Sequence, residues 1–384
     1  MARTADTLRV EVLTTPAAGQ QRGSMSLEKF TCATITNDLT TPAEAAFEIG
    51  NDGTWDEILD QIAPGATYKV FVNDCLRLTG RVELNDNPVD SAGGSTVRFT
   101  VRTKLADAAF ASANPKVAVQ KTTLAEFMFA LYKPLGFAET SFQFNSGISR
   151  DLMTGLDTKS KTGKPPVDFE KISEEEARVS PSESIFDAAD RHLRRHGLMH
   201  WDSADGDIVI GQPDDAQPPR FSLRYNRKTN RQANNVLSAT RTLDYGGIPS
   251  HVMVCGMTKK RGSVRDRVAG RADEADVIKA GFYRPVIIIS EGVGSGDLAA
   301  RAALRELSAR SKRKDALDVV VDGLSFWDGH RNIPWAIDTV ALVDSDVAGI
   351  KSGAYYIHRV ELKRDPSGDT TTLSMVKKGI WKIS

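Results

Sequence analysis

Three groups of residues in this 384-residue chain are of types that could do chemistry. Gly294-Ser295-Gly296-Asp297-Leu298-Ala299 matches G-x-G-x-x-A between the apolar run PVIIIS and a helical run, and Asp322 ends the next strand-like segment. A dinucleotide-binding turn of this type holds a pyrophosphate on backbone amides and a ribose hydroxyl on the acidic residue. His192, His196 and His200 recur four residues apart, which on one continuous helix would align imidazoles for a metal. Ser325, Asp328 and His330 lie close together beside Trp327 and supply the residue types of a hydrolase.

None of the three is backed by its context. The glycines at 294 and 296 begin several residues after the strand, Asp322 lies farther on than the usual ~20 positions, and no further strand–helix alternation follows. A loop with Asp297 as helix cap is the favoured reading. Gly197 ends the helix that carries the histidines, His200 falls off their line, and Arg191, Arg194 and Arg195 disfavour a cation. There is no H-E-x-x-H and no G-x-S-x-G elbow. The polar stretch from Thr258 to Asp276 and the run Lys312-Arg313-Lys314 could touch phosphate, but no interleaved aromatics offer base stacking, so they read as solvated. The sequence therefore assigns no catalytic, cofactor-binding or metal-binding residue and no cofactor. An NAD- or metal-dependent enzyme, working through Gly294 and Gly296 or through His192 and His196, is the alternative.

The elements that would have to position such residues are mostly strands. Hydrophobic residues make up 40% and charged residues 26% of the chain, which describes a soluble globular protein long enough for several cores. With 50 basic and 50 acidic side chains, the net charge of +0 directs it to neither nucleic acid nor acidic lipid. No apolar run approaches the ~20 residues needed to cross a bilayer, and MARTADTLRVEVL lacks a signal-peptide core. Cys32, Cys75 and Cys255 match no metal spacing and read as buried free thiols of a reducing compartment.

Leu8, Val10 and Val12 alternate with polar residues, and YKVFV and LRLTGRVEL flank an Asn73-Asp74 turn with Gly80 on the apolar side. A small barrel or sandwich closing near Lys104 is expected. Capping boxes at Thr123–Glu126 and Ser180–Glu183 then start two helices, and MHWDSADGDIVIG reads as a hairpin turned at Asp205-Gly206. The polar stretch 148–179 between the helices, and 258–276 further on, read as exposed loops. After RFSLRY, NVLSATRTLDY and HVMVCGM, a helix carries Ala300, Ala303, Leu304 and Leu307 on one face, and the tail from Asp318 to Val376 is strand-rich. The fold class is α+β, mainly β, with β-modules at 1–106 and 220–384 flanking an α+β middle domain at 107–219. The second module contains an inserted loop–strand–helix segment at 258–316.

This order of segments resembles the baseplate hub proteins of contractile-tailed bacteriophages, the Mu-like and P2-like tail family. The landmarks are VFVNDCLRLTGRVEL, then SESIFDAADRHLRRHGLMHWDSADGDIVIGQP, NVLSATRTLDYGGIPSHVMVCG, and DGLSFWDGHRNIPWAIDTVALVDSDVAGIKSGAYYIHRVEL. VRTKLADAAF departs from the family pattern, where a Gly-Arg tends to precede the polar turn, and this leaves the end of the first module open. The resemblance implies a non-enzymatic virion structural protein: a homotrimer whose two β-barrels per chain make a pseudo-sixfold ring. Such a ring adapts a sixfold tail tube to a threefold central spike and leaves a channel for genome ejection. Implied partners are further copies of the chain, the spike protein, the tube or tube-initiator protein and other baseplate proteins, with DNA only in transit and no membrane insertion. Assembly would take place in the host cytoplasm, and a tailocin or injection device would use the same architecture.

Overall fold

The computed structural model of the chain describes residues 5–13, 24–50, 66–86, 89–90, 94–114, 124–144, 179–180, 182–195, 198–227, 234–257, 267–290, 293 and 295–381. The expected loop at 148–179, apart from its last residue, lies outside them, as do Thr123, His196, Gly197 and Gly294. Strands dominate, as the alternation predicts. Most of them form a 14-stranded sheet, with two 3-stranded sheets and one 2-stranded sheet beside it.

The first module supplies the strands Leu8–Leu13, Cys32–Asp38, Glu44–Gly50, Thr67–Val72, Cys75–Asp86 and Gly94–Thr103. In Leu8–Leu13 every second side chain is buried, which is what its apolar alternation dictates. The Thr67–Val72 and Cys75–Asp86 strands turn at Asn73 and Asp74, with φ of 49° and 59°. Two consecutive left-handed residues match the twist of a two-residue hairpin. Gly80 sits where a Cβ would come within 2.2 Å of the Arg102 carbonyl oxygen, so the glycine permits a close approach of neighbouring strands.

The tail supplies Ala316–Asp322, Thr339–Ser345, Ile350–Asp365 and Gly368–Lys377, joined by Phe221–Arg224 and Val236–Thr242. Two separate closed barrels were expected. Among the described residues, the hydrogen-bonded path is instead open and runs through both modules. The free edge of Cys32–Asp38 is occupied by the second half of Ile350–Asp365, from Arg359 opposite Asp38 to Arg364 opposite Ala33. One hydrophobic core accordingly extends from Leu8 to Met375.

The middle of the chain has its own core under the helices Lys104–Phe110, Leu124–Tyr132 and Ile185–Arg195 and the sheet of Phe142–Phe144, Met199–Asp202 and Ile208–Gly211. The hairpin turns at Asp205-Gly206 as expected, with Gly206 at φ +83°. The helix expected from Ser180 begins at Ile185. The Ser180 amide does bond the Glu183 carboxylate, at 2.9 Å, but Ser182 takes φ 68° and breaks the helical path. The cap is Ser184, whose Oγ accepts from the Asp187 amide at 3.0 Å and donates to its carboxylate at 2.7 Å.

A further sheet contains Arg267–Asp273, His251–Met257 and Pro285–Ile289, in that order. The polar stretch read as a loop thus holds a strand, and the short helix Ala275–Lys279 begins within it. The helix Gly296–Ser311 covers one face of this sheet. Ser295 caps it, its Oγ accepting from the Leu298 amide at 3.3 Å, and Asp297 lies in the first turn. Leu298, Ala299, Ala303 and Leu307 are buried, whereas Ala300, assigned to the buried face, is exposed. The three cysteines are free but half-buried, more accessible than expected.

A Cβ at Gly270 would come within 2.0 Å of the Ala300 amide nitrogen, so the helix rests directly on strand backbone. Gly270→Ala is expected to lower stability by about 1–3 kcal/mol, the cost of overpacking such a contact. A denaturant titration checks this, and an unchanged midpoint contradicts it.

Candidate functional site

Among the described residues, those singled out for chemistry do not come together. Gly296 opens its helix with nothing within 4 Å of where a Cβ would be, so no close backbone approach requires a glycine there. His192 is buried with its ring 4.3 Å from Phe127. His200 is buried with its ring 4.4 Å from Phe186 and its Nε2 hydrogen-bonded to the Tyr132 hydroxyl at 2.9 Å. Burial lowers the His200 pKa to about 4, so the ring is neutral. No three His, Cys, Asp or Glu side chains converge as metal ligands among the described residues. Ser325 is buried and donates to Asp6 at 2.6 Å, while Asp328 accepts from the His330 and Arg331 amides at 2.8 Å in an exposed turn.

Most of the basic stretch after Thr258 lies outside the described residues, but several of the remaining cations are paired. Arg271 pairs with Asp273 at 2.7 Å. Lys314 bonds Glu274 at 2.6 Å and also reaches Asp276. Lys312 lies over the Trp381 ring at 3.6 Å, where burial lowers its pKa to about 8. Arg313 is exposed.

What the structure does bring together is a joint. Leu39 of the first module, Met199 and Trp201 of the middle hairpin, and Val340, Tyr356, Val376 and Trp381 of the tail form one buried cluster. Beside it, the carboxylate of Asp202 accepts from the Ala43 amide at 2.7 Å and from the Thr103 hydroxyl at 2.8 Å, fastening the middle hairpin to the first module. Its other oxygen is buried without a hydrogen-bond partner. Burial therefore outweighs those two bonds and raises the Asp202 pKa to about 7. Nearby, Arg305 of the helix Gly296–Ser311 donates to Asp190 at 3.1 Å, and Arg194 bonds the same carboxylate. Burial pushes Asp190 upward, but the two guanidinium groups win and hold it below the usual carboxylate range. An adjacent groove of about 540 Å³ is lined by these groups with Glu183, Arg191, Ile288 and Ile289, and its charges are taken up in internal pairs.

The joint was not legible in the sequence. Asp202 reads as an ordinary residue before a turn, and its burial depends on Ala43, 159 positions away. The only local signal is the run of buried residues Met199–Asp202, which departs from hairpin alternation but is visible only once burial is known.

No model of a known protein family matches the chain. Over 206 residues the chain is 23% identical to the baseplate hub protein gp44 of Escherichia phage Mu, which covers 51% of this chain and 50% of that protein. It thus spans about half the length of the curated relative it matches. Among solved structures, the 43 kDa tail protein of prophage MuSo2 from Shewanella oneidensis superposes with a TM-score of 0.72 at 17% identity, covering 98% of this chain and 100% of that one. The fold is that of phage tail proteins. The tail protein from Neisseria meningitidis MC58 agrees, with a TM-score of 0.73, 16% identity and 99% of both chains covered. The likeness extends over nearly the whole chain, as the order of sequence landmarks implied.

Asp202 gives the joint a pH dependence. Its native pKa lies above the ordinary 3.8, so its stabilisation is full below about pH 4 and is lost as pH rises to about 7. His200 acts oppositely: its stabilisation is present above pH 6.5 and lost as pH falls toward about 4. Asn in place of Asp202 can still accept both hydrogen bonds but cannot ionise. Between pH 4 and 8, Asp202→Asn is expected to gain on the wild type by about 2–4 kcal/mol in unfolding experiments. Parallel stability curves contradict this.

Proposed function

We propose that the chain is a structural protein of a phage tail, of the baseplate hub type, acting by binding and shape. The observation that carries this is the agreement of its fold, end to end, with two tail proteins, together with the sequence similarity to the Mu hub. The large joints between units support a rigid adaptor. Asp202, the Trp381 cluster and the Asp190–Arg305 pair tie the middle domain, the tail module and the helix Gly296–Ser311 into one body.

In this reading the functional unit is a homotrimer. Residues 1–106 and 220–384 give each copy two β-modules, six in the ring, which face the sixfold tube. The middle domain, 107–219, holds the trimer together or grips the threefold spike. The lumen passes the genome without holding it, with which the net charge of +0 is compatible. The chain assembles in the host cytoplasm and ends in the virion.

Labelling purified particles with an antibody to this chain tests the proposal. Label is expected at the spike-proximal end of the tail tube, and deletion of the gene is expected to abolish complete tails. Label distributed along the tube, or complete tails without the chain, contradicts it.

A further inference from the structure

The strand Gly94–Thr103 belongs to the core of the first module, and the helix Lys104–Phe110 that follows it directly belongs to the core of the middle domain. Asp202 fastens the two at this same point. One carboxylate oxygen, Oδ2, accepts from the Thr103 hydroxyl and from the Ala43 amide, and the Ala43 carbonyl accepts from the Thr103 amide at 3.2 Å. A second contact lies at the tip of the same hairpin, where a Cβ on Gly206 would stand 3.1 Å from the Thr79 carbonyl oxygen. From the same hairpin, Met199 and Trp201 share a buried cluster with Leu39.

Asp202 is only 8% exposed, its Oδ1 meets no hydrogen-bond partner, and no cation among the described residues pairs with it. The charges flanking its partners are engaged elsewhere. Glu44 and Glu83 pair with Arg102, and the Lys104 ammonium donates to the Gly136 carbonyl at 2.6 Å. On the hairpin itself, Asp207 accepts from Gln143 at 3.1 Å. On the middle side, burial keeps the Tyr132 hydroxyl from ionising, and Asp190 is taken by Arg194 and Arg305. An anion at Asp202 therefore has two neutral donors, less than a buried carboxylate needs to offset its lost hydration. A proton on Oδ1 removes the charge and leaves both bonds to Oδ2 in place. Hydration of the carboxylate, with the hairpin lifted from the first module, removes the same penalty.

We infer that Asp202 is a pH-operated latch: protonated, it holds the middle hairpin on the first module, and ionised, it lets the hairpin lift away while both cores stay folded. His200, two residues away, does not oppose this. Its ring is bonded to Tyr132 within the middle core and stays there when the hairpin lifts, so only unfolding of that core exposes it. The sign follows from linkage. The docked carboxyl titrates near pH 7 and the lifted one near the ordinary 3.8. Docking is tightest in acid, and the lifted fraction rises about tenfold per pH unit between these values and levels off above about pH 7. Nothing in the latch depends on the hub reading.

Hydrogen exchange of the purified full chain tests this, read at the Ala43 amide by mass spectrometry and corrected for the intrinsic pH dependence of amide exchange. From pH 5 to 7 the protection of Ala43 is expected to fall about 100-fold, while the helix Leu124–Tyr132 keeps its protection. Asp202→Asn, whose folding circular dichroism checks, can accept the same bonds without titrating and is expected to show no such fall. Thr103→Val gives a second reading if that variant does not fold. It removes a donor to the anion, so the levelling-off is expected to move above pH 7.

The same pH dependence in wild type and Asp202→Asn overturns the inference, as does a levelling-off that Thr103→Val leaves in place. Protection lost at Leu124–Tyr132 in step with Ala43 overturns it too, because the whole middle domain then unfolds and no hairpin lifts.

Discussion

The structure depends on the pairing of one long strand. Ile350–Asp365 has Gly368–Lys377 along one side, and its other side is shared between two partners. Its first half pairs with Thr339–Ser345 and its second half with Cys32–Asp38 of the first module. The change of partner falls at a register shift between Ile357 and Arg359, where the His358 carbonyl accepts from the Leu39 amide at 3.1 Å. Strand pairing demands that every buried amide and carbonyl find a partner. Splitting one strand between two modules therefore locks their orientation as firmly as any side-chain contact could.

Around that strand the polar groups serve as fasteners. Arg364 binds Asp369 at 2.8 Å and the Asp6 carbonyl at 2.9 Å, and Asp6 in turn holds Leu324 and Ser325. Arg241 forms a bidentate pair with the buried Asp315 at 2.8 Å, and Tyr355 donates to the same carboxylate at 3.1 Å. Planar two-point pairing of this sort fixes geometry as well as charge. Arg364 with Asp6 and Arg241 with Asp315 thus bridge segments far apart in sequence.

Much of this was legible from local chemistry. Asn73-Asp74 and Asp205-Gly206 turn where their residue types require, and Leu8–Leu13 and Thr67–Val72 alternate as read. The errors have physical causes. Arg267–Asp273 reads as a loop because its inner face carries Gly270 and Ala272, small enough for a helix to rest on backbone, so the usual apolar signal is missing. The Ser180–Glu183 pair forms as a local turn, but Ser182 diverts the chain and a second cap, Ser184, starts the helix. The merging of the two modules could not be read at all, because it lies in pairings more than 300 residues apart. The burial of Asp202 escapes for the same reason.

The central claim is that this chain is a ring-forming adaptor, and the most direct test is the solution mass of the purified protein with negative-stain images of the same peak. The account predicts three times the 41.8 kDa chain mass and a threefold ring with a central hole. A twofold dimer, or a monomer that no concentration converts to a ring, contradicts it.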